Sequence, residues 1–132
     1  MAQFNLEKGL SGSARAQVDN KNTAIAFGSG KVGVFATPAM IGLMEKAAIE
    51  AVDHLLPGGH ASVGTRIDVT HISPTPVGMN VTADAVLVEV DGSKLKFNVQ
   101  AYDGKEKIGE GIHYRFIVDL KRLNSRAEKK LK

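Results

Sequence analysis

Three residues near the middle of the chain carry groups that can move protons or attack an electrophile: the hydroxyl of Thr37, the carboxylate of Glu45 and the imidazole of His71. Glu45 falls in the apolar stripe of a predicted helix over residues 38–56, because none of the residues three, four or seven positions away is polar. A carboxylate in apolar surroundings costs several kcal/mol unless it is paired or protonated, so it usually has a partner or a chemical use. The same pattern allows a slightly rotated helix that places Glu45 at the rim of the core.

His71 and Thr37 are each ambiguous when taken alone. His71 closes the more apolar side of a predicted strand over residues 63–72, a side that should pack against the helix. A core histidine whose hydrogen bonds are satisfied is the alternative interpretation. Thr37 precedes Pro38, and a threonine before a proline at the first helical position is an ordinary helix cap.

The pattern around these residues predicts one long helix and several strands. The helix is bounded by Thr37-Pro38 and by the turn Leu56-Pro57-Gly58-Gly59. Alternating or β-rich segments predict extended structure at residues 13–19, 23–27, 63–72, 79–90, 94–102 and 107–120. Asp91-Gly92 and Asp103-Gly104 are turn signals. We therefore expect an α+β fold, in which a four-stranded antiparallel meander after the helix wraps around it.

The segment Gly28–Gly33 matches the dinucleotide-binding pattern G-x-G-x-x-G, but its context does not fit. That motif requires a helix directly after it and a parallel βαβ unit around it, whereas here residues 34–36 intervene and the later strands are predicted to be antiparallel. Lys31 is followed by Val32, so a Walker A loop is excluded as well. A flexible connection is the better interpretation.

Composition and length indicate a single domain over residues 1–132, with 1–12 and 121–132 mobile or peripheral. A chain of 132 residues with 43% hydrophobic content is long enough for one core. It has no cysteine, and its four histidines lack ligand spacing, so we expect no metal and no cofactor. No signal-peptide or membrane-spanning run is present, which predicts a soluble cytoplasmic protein without a membrane partner.

The formal charge of +3 comes from the end of the chain. Residues 121–132 contain six basic side chains and one acidic one, whereas the remaining 120 residues have 11 basic and 13 acidic side chains. No aromatic residues are interleaved with the basic ones. The tail is therefore predicted to be a solvated or short helical end, and no nucleic-acid partner is expected.

The motifs that surround the three candidate residues strongly resemble the fluoroacetyl-CoA thioesterase-like family of hotdog-fold proteins. The resemblance runs from about Val18 to Asn124. It is carried by Val34-Phe35-Ala36-Thr37, Gly42-Leu43-Met44-Glu45, Gly64-Thr65, Val69-Thr70-His71 and Pro74-Thr75-Pro76.

The resemblance implies a fold, a reaction and a set of site residues. It implies a hotdog fold, a homodimer or dimer of dimers with active sites at the subunit interface, and hydrolysis of an acyl-CoA thioester to free acid and CoA. Thr37, Glu45 and His71 are then catalytic, the Gly64 N–H binds the acyl carbonyl and Arg115 contacts the substrate. Glu45 and His71 can in that case meet across two chains.

One segment departs from the family pattern. Fluoroacetyl-specific members carry a longer lid with phenylalanines between the first strand and the helix, whereas residues 26–34 here are short and glycine-rich. We therefore expect a general short-chain acyl-CoA substrate instead of fluoroacetyl selectivity. The alternatives are an enoyl-CoA hydratase or dehydratase, whose Asp and His pair at the helix start is missing here, and a non-catalytic acyl-CoA-binding module.

Overall fold

One long helix lies against a curled antiparallel sheet of five strands, as the α+β prediction requires. The computed structural model describes residues 4–132. The strands are β1 Ser11–Gln17, β2 His60–His71, β3 Asn80–Asp91, β4 Lys94–Tyr102 and β5 Lys107–Asp119. The helices are α1 Ala24–Phe27, α2 Thr37–Val52 and α3 Leu120–Glu128, with short 3₁₀ turns at Asp53–Leu55 and Lys129–Leu131.

The strand order is β1-β3-β4-β5-β2, and every neighbouring pair is antiparallel. The expected four-stranded meander is therefore wrong for β2, which pairs with β5 instead of β3. Pro74 and Pro76 lie in the connection after β2 and cannot continue a hairpin ladder. The chain therefore passes β5 and β4 and begins β3 on the far side of them. As a result β2 is an edge strand, and one side of its backbone has no partner strand among residues 4–132.

The predicted long helix is present, although its last turn, Asp53–Leu55, is 3₁₀. Its buried face packs mainly on β1 and β3 and consists of small and flexible apolar side chains. These are Met40, Leu43, Met44, Ala47, Ala48, Ala51 and Val52. β1 lies directly on α2, because a Cβ added at Gly12 would overlap the backbone of Ala47 and Ala51. Full burial of each of the larger side chains contributes about 1.5–3 kcal/mol relative to exposure.

The extended piece expected at residues 23–27 is wrong, because these residues form the short helix α1. The Thr23 hydroxyl accepts a hydrogen bond from the Ala26 N–H at 3.3 Å, which caps the helix start. Gly28 then ends the helix with a φ of 75°, a left-handed conformation that favours glycine. The return segment before α2 is held by isolated bridges, one from Thr23 to Phe35 and one from Val34 to Pro76.

The two terminal segments differ in how they attach to the sheet. Leu6 is part of the hydrophobic core, and the Gly9 N–H donates to the Leu87 carbonyl at 2.8 Å. Residues 121–132 are exposed throughout, and α3 is capped by the Asp119 carboxylate. None of the helices between residues 4 and 132 is long and apolar enough to cross a membrane.

Candidate active site

Thr37 and His71 lie together at the start of α2 and the end of β2. The Thr37 Oγ1 and His71 Nδ1 atoms are 2.7 Å apart, which is a hydrogen bond. The cap position of α2 is Ala36, and no side chain caps this helix end. The predicted capping role of Thr37 is therefore wrong: its side chain is bonded to His71 instead of to its own helix.

Backbone hydrogen bonds on both sides bring this pair together. The Ala36 N–H donates to the Asn22 carbonyl, and the Phe35 N–H donates to the Thr75 carbonyl, each at 2.9 Å. Thr75 is fully buried, and its hydroxyl donates to the Asp103 carboxylate at 2.8 Å. The connection after β2 is thus pinned to the segment before α2, which fixes the distance between Thr37 and His71.

His71 has a lowered pKa, which favours the neutral imidazole, and one of its ring nitrogens lacks a hydrogen-bond partner among residues 4–132. Burial lowers its pKa below the ordinary value, and the backbone of Ser73 raises the pKa by a smaller amount. Its Nε2 atom is buried and has no hydrogen-bond partner among the described residues. A cavity of about 340 Å³ adjoins the pair and includes Val32 and Val34 in its wall. A hydroxyl bonded to a neutral imidazole is an arrangement that can pass a proton to or from a bound substrate.

Glu45 belongs to a second cluster, where α2 passes β2. Its Oε2 atom lies 3.6 Å from Nη1 of Arg115. Of the two interpretations of Glu45, the one that points it into the core is wrong and the one that places it at the rim is confirmed, since its side chain remains 41% exposed. The neighbouring Ile41 is half-buried and Ile49 is exposed, so the described residues leave this side of α2 partly uncovered.

Arg115 is nearly inaccessible, and Ser62 on β2 holds it. Its Nε and Nη2 groups donate to the Oγ and carbonyl oxygen of Ser62 at 2.7 and 2.8 Å. Ser62 Oγ in turn donates to Asp53 at 2.6 Å. Burial lowers the pKa of Arg115, and the charges of Asp53 and Glu45 oppose that shift, so the guanidinium keeps its charge. Neither Asp53 nor Ser62 is among the candidate residues selected from the sequence.

Gly64 faces this cluster because it pairs directly with Arg115 across β2 and β5, which places both residues on one face of the sheet. The pairing of β2 with β5 shifts between Gly64 and Arg66, so the strict alternation predicted along β2 breaks there. Gly64 leaves room for the carboxylate, because a Cβ at this position would lie 2.5 Å from Glu45 Oε2. A cavity of about 290 Å³ opens beside Glu45 and Gly64.

His113 is a further member of the second cluster and is not among the candidate residues selected from the sequence. It is 1% exposed, its Nδ1 lies 2.8 Å from the Arg66 carbonyl oxygen, and its Nε2 lies 3.3 Å from Nη1 of Arg115. Burial lowers its pKa, the Arg115 charge lowers it further, and the Arg66 carbonyl and Glu45 act in the opposite direction. The signal that could have found it is its position two residues from Arg115 on the same face of one strand.

The two clusters are well separated within one chain. Thr37 and Glu45 are eight residues apart on α2, which is about 12 Å along the helix axis. Gly64 and His71 are seven residues apart on β2, which is about 23 Å along an extended strand. The structure therefore brings Thr37 to His71, and Glu45 to Gly64 and Arg115, but it does not bring the two groups to each other. Within residues 4–132 no cluster of three or more His, Asp or Glu side chains could hold a metal ion.

Comparisons with known proteins agree with this architecture. A sequence profile described as "FlK: Fluoroacetyl-CoA-specific thioesterase" matches residues 18–121. A fluoroacetyl-CoA thioesterase from Streptantibioticus cattleyicolor is 43% identical over 97 residues, which cover 74% of this chain and 70% of that protein. A solved structure of the fluoroacetyl-CoA thioesterase FlK is 34% identical with a TM-score of 0.90, over 96% of this chain and 98% of the other.

A more distant structure supports the fold alone. A hot-dog-like protein from Thermanaerovibrio acidaminovorans is 24% identical with a TM-score of 0.86, over 96% of this chain and 94% of that one. Together with the closer relatives, it confirms the predicted hotdog architecture. The chain belongs to the fluoroacetyl-CoA-specific thioesterase family, and it is a hotdog-fold thioesterase.

Proposed function

We propose that this protein hydrolyses short-chain acyl-CoA thioesters at a site completed by a second copy of the chain. In this proposal Thr37 and His71 of one subunit act with Glu45, Gly64 and Arg115 of its partner. The observation that carries it is the division of the candidate residues into two clusters, each of which has only part of the groups that thioester hydrolysis needs. The proposed location is the cytoplasm, because CoA thioesters are made and consumed inside cells.

The edge strand β2 supports a homodimer. Its twelve residues offer unpaired backbone groups on one side, and an edge of this length is a ready template for another strand. If two copies pair antiparallel through β2, the end that carries His71 in one copy faces the half that carries Gly64 in the other. The unpartnered Nε2 of His71 would then face the partner's cluster. A dimer of dimers remains compatible with the same site.

The chemistry follows from the groups that this pairing assembles. Water adds to the thioester carbonyl while Glu45 accepts one of its protons, and the resulting oxyanion accepts a hydrogen bond from the Gly64 N–H. The C–S bond then breaks, and His71 relays the proton from Glu45 to the CoA sulfur. The products are the free acid and CoA, and the Glu45 carboxylate is restored.

Glu45 can alternatively attack the carbonyl carbon itself. The C–S bond then breaks to leave a mixed anhydride on Glu45, which water hydrolyses, and the proton lost by that water ends on the sulfur. Hydroxylamine present during turnover separates the two routes, because it converts the anhydride to a hydroxamate at Glu45. Mass spectrometry of peptides that contain residue 45 detects this adduct.

The proposed substrate range rests on the segment between α1 and α2. Residues 28–33 form an exposed glycine-containing loop whose single large apolar side chain is Val32, and Ile25 and Phe27 in the preceding helix α1 are exposed as well. This loop provides little apolar surface to enclose a fluoromethyl group, so we propose similar kcat/KM values for fluoroacetyl-CoA, acetyl-CoA and propionyl-CoA. A preference for fluoroacetyl-CoA of about 100-fold or more, roughly 2.7 kcal/mol, would contradict this part of the proposal.

The experiment that tests the reaction is release of free CoA thiol by Glu45→Gln and His71→Ala. We expect each substitution to lower kcat by at least about 10²-fold, the usual scale of acid–base catalysis. Glu50→Gln, on the exposed face of the same helix, is the matched control. Unchanged hydrolysis in Glu45→Gln would overturn the proposal. Hydration of crotonyl-CoA without thiol release would favour a hydratase, and binding of acetyl-CoA that is recovered intact would favour a binding module.

A further inference from the structure

We propose that His113 is a positioning residue that holds the Arg115 guanidinium at a distance from Glu45 and so keeps the carboxylate free to react. This inference rests on the proposed role of Glu45 in hydrolysis. His113 itself is buried beneath the cluster and acts through Arg115.

The tautomer of His113 follows from its two neighbours. The Arg66 carbonyl can only accept a hydrogen bond, so Nδ1 carries the proton and donates to it at 2.8 Å. Arg115 can only donate, so the unprotonated Nε2 accepts from Nη1 at 3.3 Å. Both contacts require the neutral ring, in which one nitrogen donates and the other accepts.

The remaining hydrogen bonds of Arg115 leave Nη1 as the group that His113 controls. Ser62 receives the Nε and Nη2 protons, which anchors the far side of the guanidinium. Nη1 is left between His113 Nε2 and Glu45 Oε2, at 3.3 and 3.6 Å. The second of these is well beyond the 2.7–2.9 Å typical of a charge-assisted hydrogen bond. The guanidinium is therefore shared between a neutral acceptor and a charged one.

Sharing of the Arg115 guanidinium with His113 leaves the Glu45 carboxylate available for catalysis. Without the acceptor on His113, Nη1 is free to close onto Glu45 as a tight ion pair, which would occupy the oxygen that must receive a proton or attack the thioester. The charged groups that face His113 are Glu45 on α2 and Arg115 on its own strand, with the Asp53 carboxylate behind Ser62. A protonated His113 would lose its acceptor and repel Arg115, so the arrangement depends on the neutral ring.

Two substitutions separate the two ring contacts. His113→Asn can keep a donor for the Arg66 carbonyl but lacks the acceptor for Arg115, whereas His113→Gln can place an acceptor near the position of Nε2. We expect His113→Asn to lower kcat about 10- to 100-fold with little change in KM, and His113→Gln to retain kcat within about fivefold. The control, His54→Asn at an exposed position, should leave both constants unchanged. Equal losses in the two His113 variants, or no loss in His113→Asn, would overturn the proposal.

A second measurement on the unsubstituted protein does not depend on activity or on the folding of a variant. In ¹⁵N-histidine NMR spectra at pH 7, His113 should show a protonated Nδ1 and an unprotonated Nε2. The opposite tautomer, or a doubly protonated ring, would overturn the assigned contact to Arg115. Hydrolysis that survives Glu45→Gln would instead overturn the proposed function, so the two failures can be distinguished.

Discussion

Mixing two inactive variants should restore activity if the site is shared between chains. Glu45→Gln damages one cluster and His71→Ala the other, and within one chain the clusters lie about 12 Å apart along α2. A heterodimer of the two variants contains one site with both changes and one site with neither. The unaltered site should turn over at the wild-type rate.

The size of the recovery can be worked out from the pairing. Random exchange of equal amounts gives about half heterodimers, each with one intact site of two, so the mixture should reach about one quarter of wild-type kcat. Each variant alone should retain about 1% or less, since acid–base groups contribute about 10²-fold or more. The recovery should therefore exceed either parent about 25-fold. The assay is thiol release from acetyl-CoA after the variants are unfolded together, refolded and compared with each variant treated alone.

A second mixture provides the control. Thr37→Ala and His71→Ala lie in the same cluster, so every site in their heterodimers has one damaged residue and no recovery is expected. If Glu45→Gln and His71→Ala also fail to recover, while size-exclusion chromatography and tagged co-purification show that heterodimers have formed, the shared site is refuted. Full activity from a monomeric wild-type protein would refute it as well.

Three further predictions concern single groups in the two clusters. Gly64→Ala should lower kcat about 10- to 100-fold with little change in stability, because its Cβ would lie 2.5 Å from the flexible end of Glu45 and displace the carboxylate. Ser62→Ala should lower the free energy of unfolding in urea by about 1–3 kcal/mol, because it removes an acceptor from buried Arg115. The depressed pKa of His71 predicts that its ring stays neutral as pH falls through 6.5, so kcat/KM should decline only at lower pH. Because the pKa of His71 is lower in the folded chain than in the unfolded chain, the unfolded chain binds this proton at a higher pH. As pH falls below 6.5, His71 therefore lowers the free energy of unfolding.

Each of these three predictions has a control variant. Gly58→Ala, at an exposed turn with open space around it, should not change kcat, and an equal effect there would contradict the steric argument for Gly64. Ser13 is an exposed position on β1, and Ser13→Ala should leave the urea midpoint unchanged. For the pH argument, unfolding should be compared with that of His71→Gln, which lacks the titrating group. A stability profile with the same slope in both proteins would show that His71 is not responsible.

Much of the fold could be predicted because its signals are local. Pro38 and the Leu56-Pro57-Gly58-Gly59 turn bracket the helix, and Lys94–Tyr102 was predicted with the bounds that the structure has. The pairing of β2 with β5 could not be predicted in this way. The order of strands in a sheet depends on the path of the connecting segments, whereas the alternation of apolar and polar residues only indicates that a segment is a strand. The bulge at Gly64 inverts the alternation of β2, and no periodic pattern registers such an insertion.

The site was predicted less completely, for a related reason. Thr37, Glu45, Gly64, His71 and Arg115 were selected mainly by resemblance to a family, and the structure places them in two groups. Ser62, Asp53 and His113 were not selected, because their importance comes from hydrogen bonds across β2, β5 and the end of α2. Residues of these types occur on many strands and helix ends, so only the three-dimensional contacts distinguish them.

The misprediction of Glu45 has a physical explanation that bears on the shared site. The apolar residues around it predicted a buried face, yet Ile49 is 38% exposed and Glu45 is 41% exposed in the single chain. An apolar sequence pattern predicts that a surface will be covered, but it does not indicate whether the covering residues belong to the same chain or to another. Glu45 lies beside Gly64 on the edge strand β2, so a second copy paired at that edge could cover the carboxylate as well. Burial by a partner would also strengthen the interaction of Glu45 with Arg115, because the effective dielectric constant falls as water leaves. The carboxylate would then be desolvated only where substrate binds, and the hydrogen bond from Arg115 to His113 would matter most in that closed state.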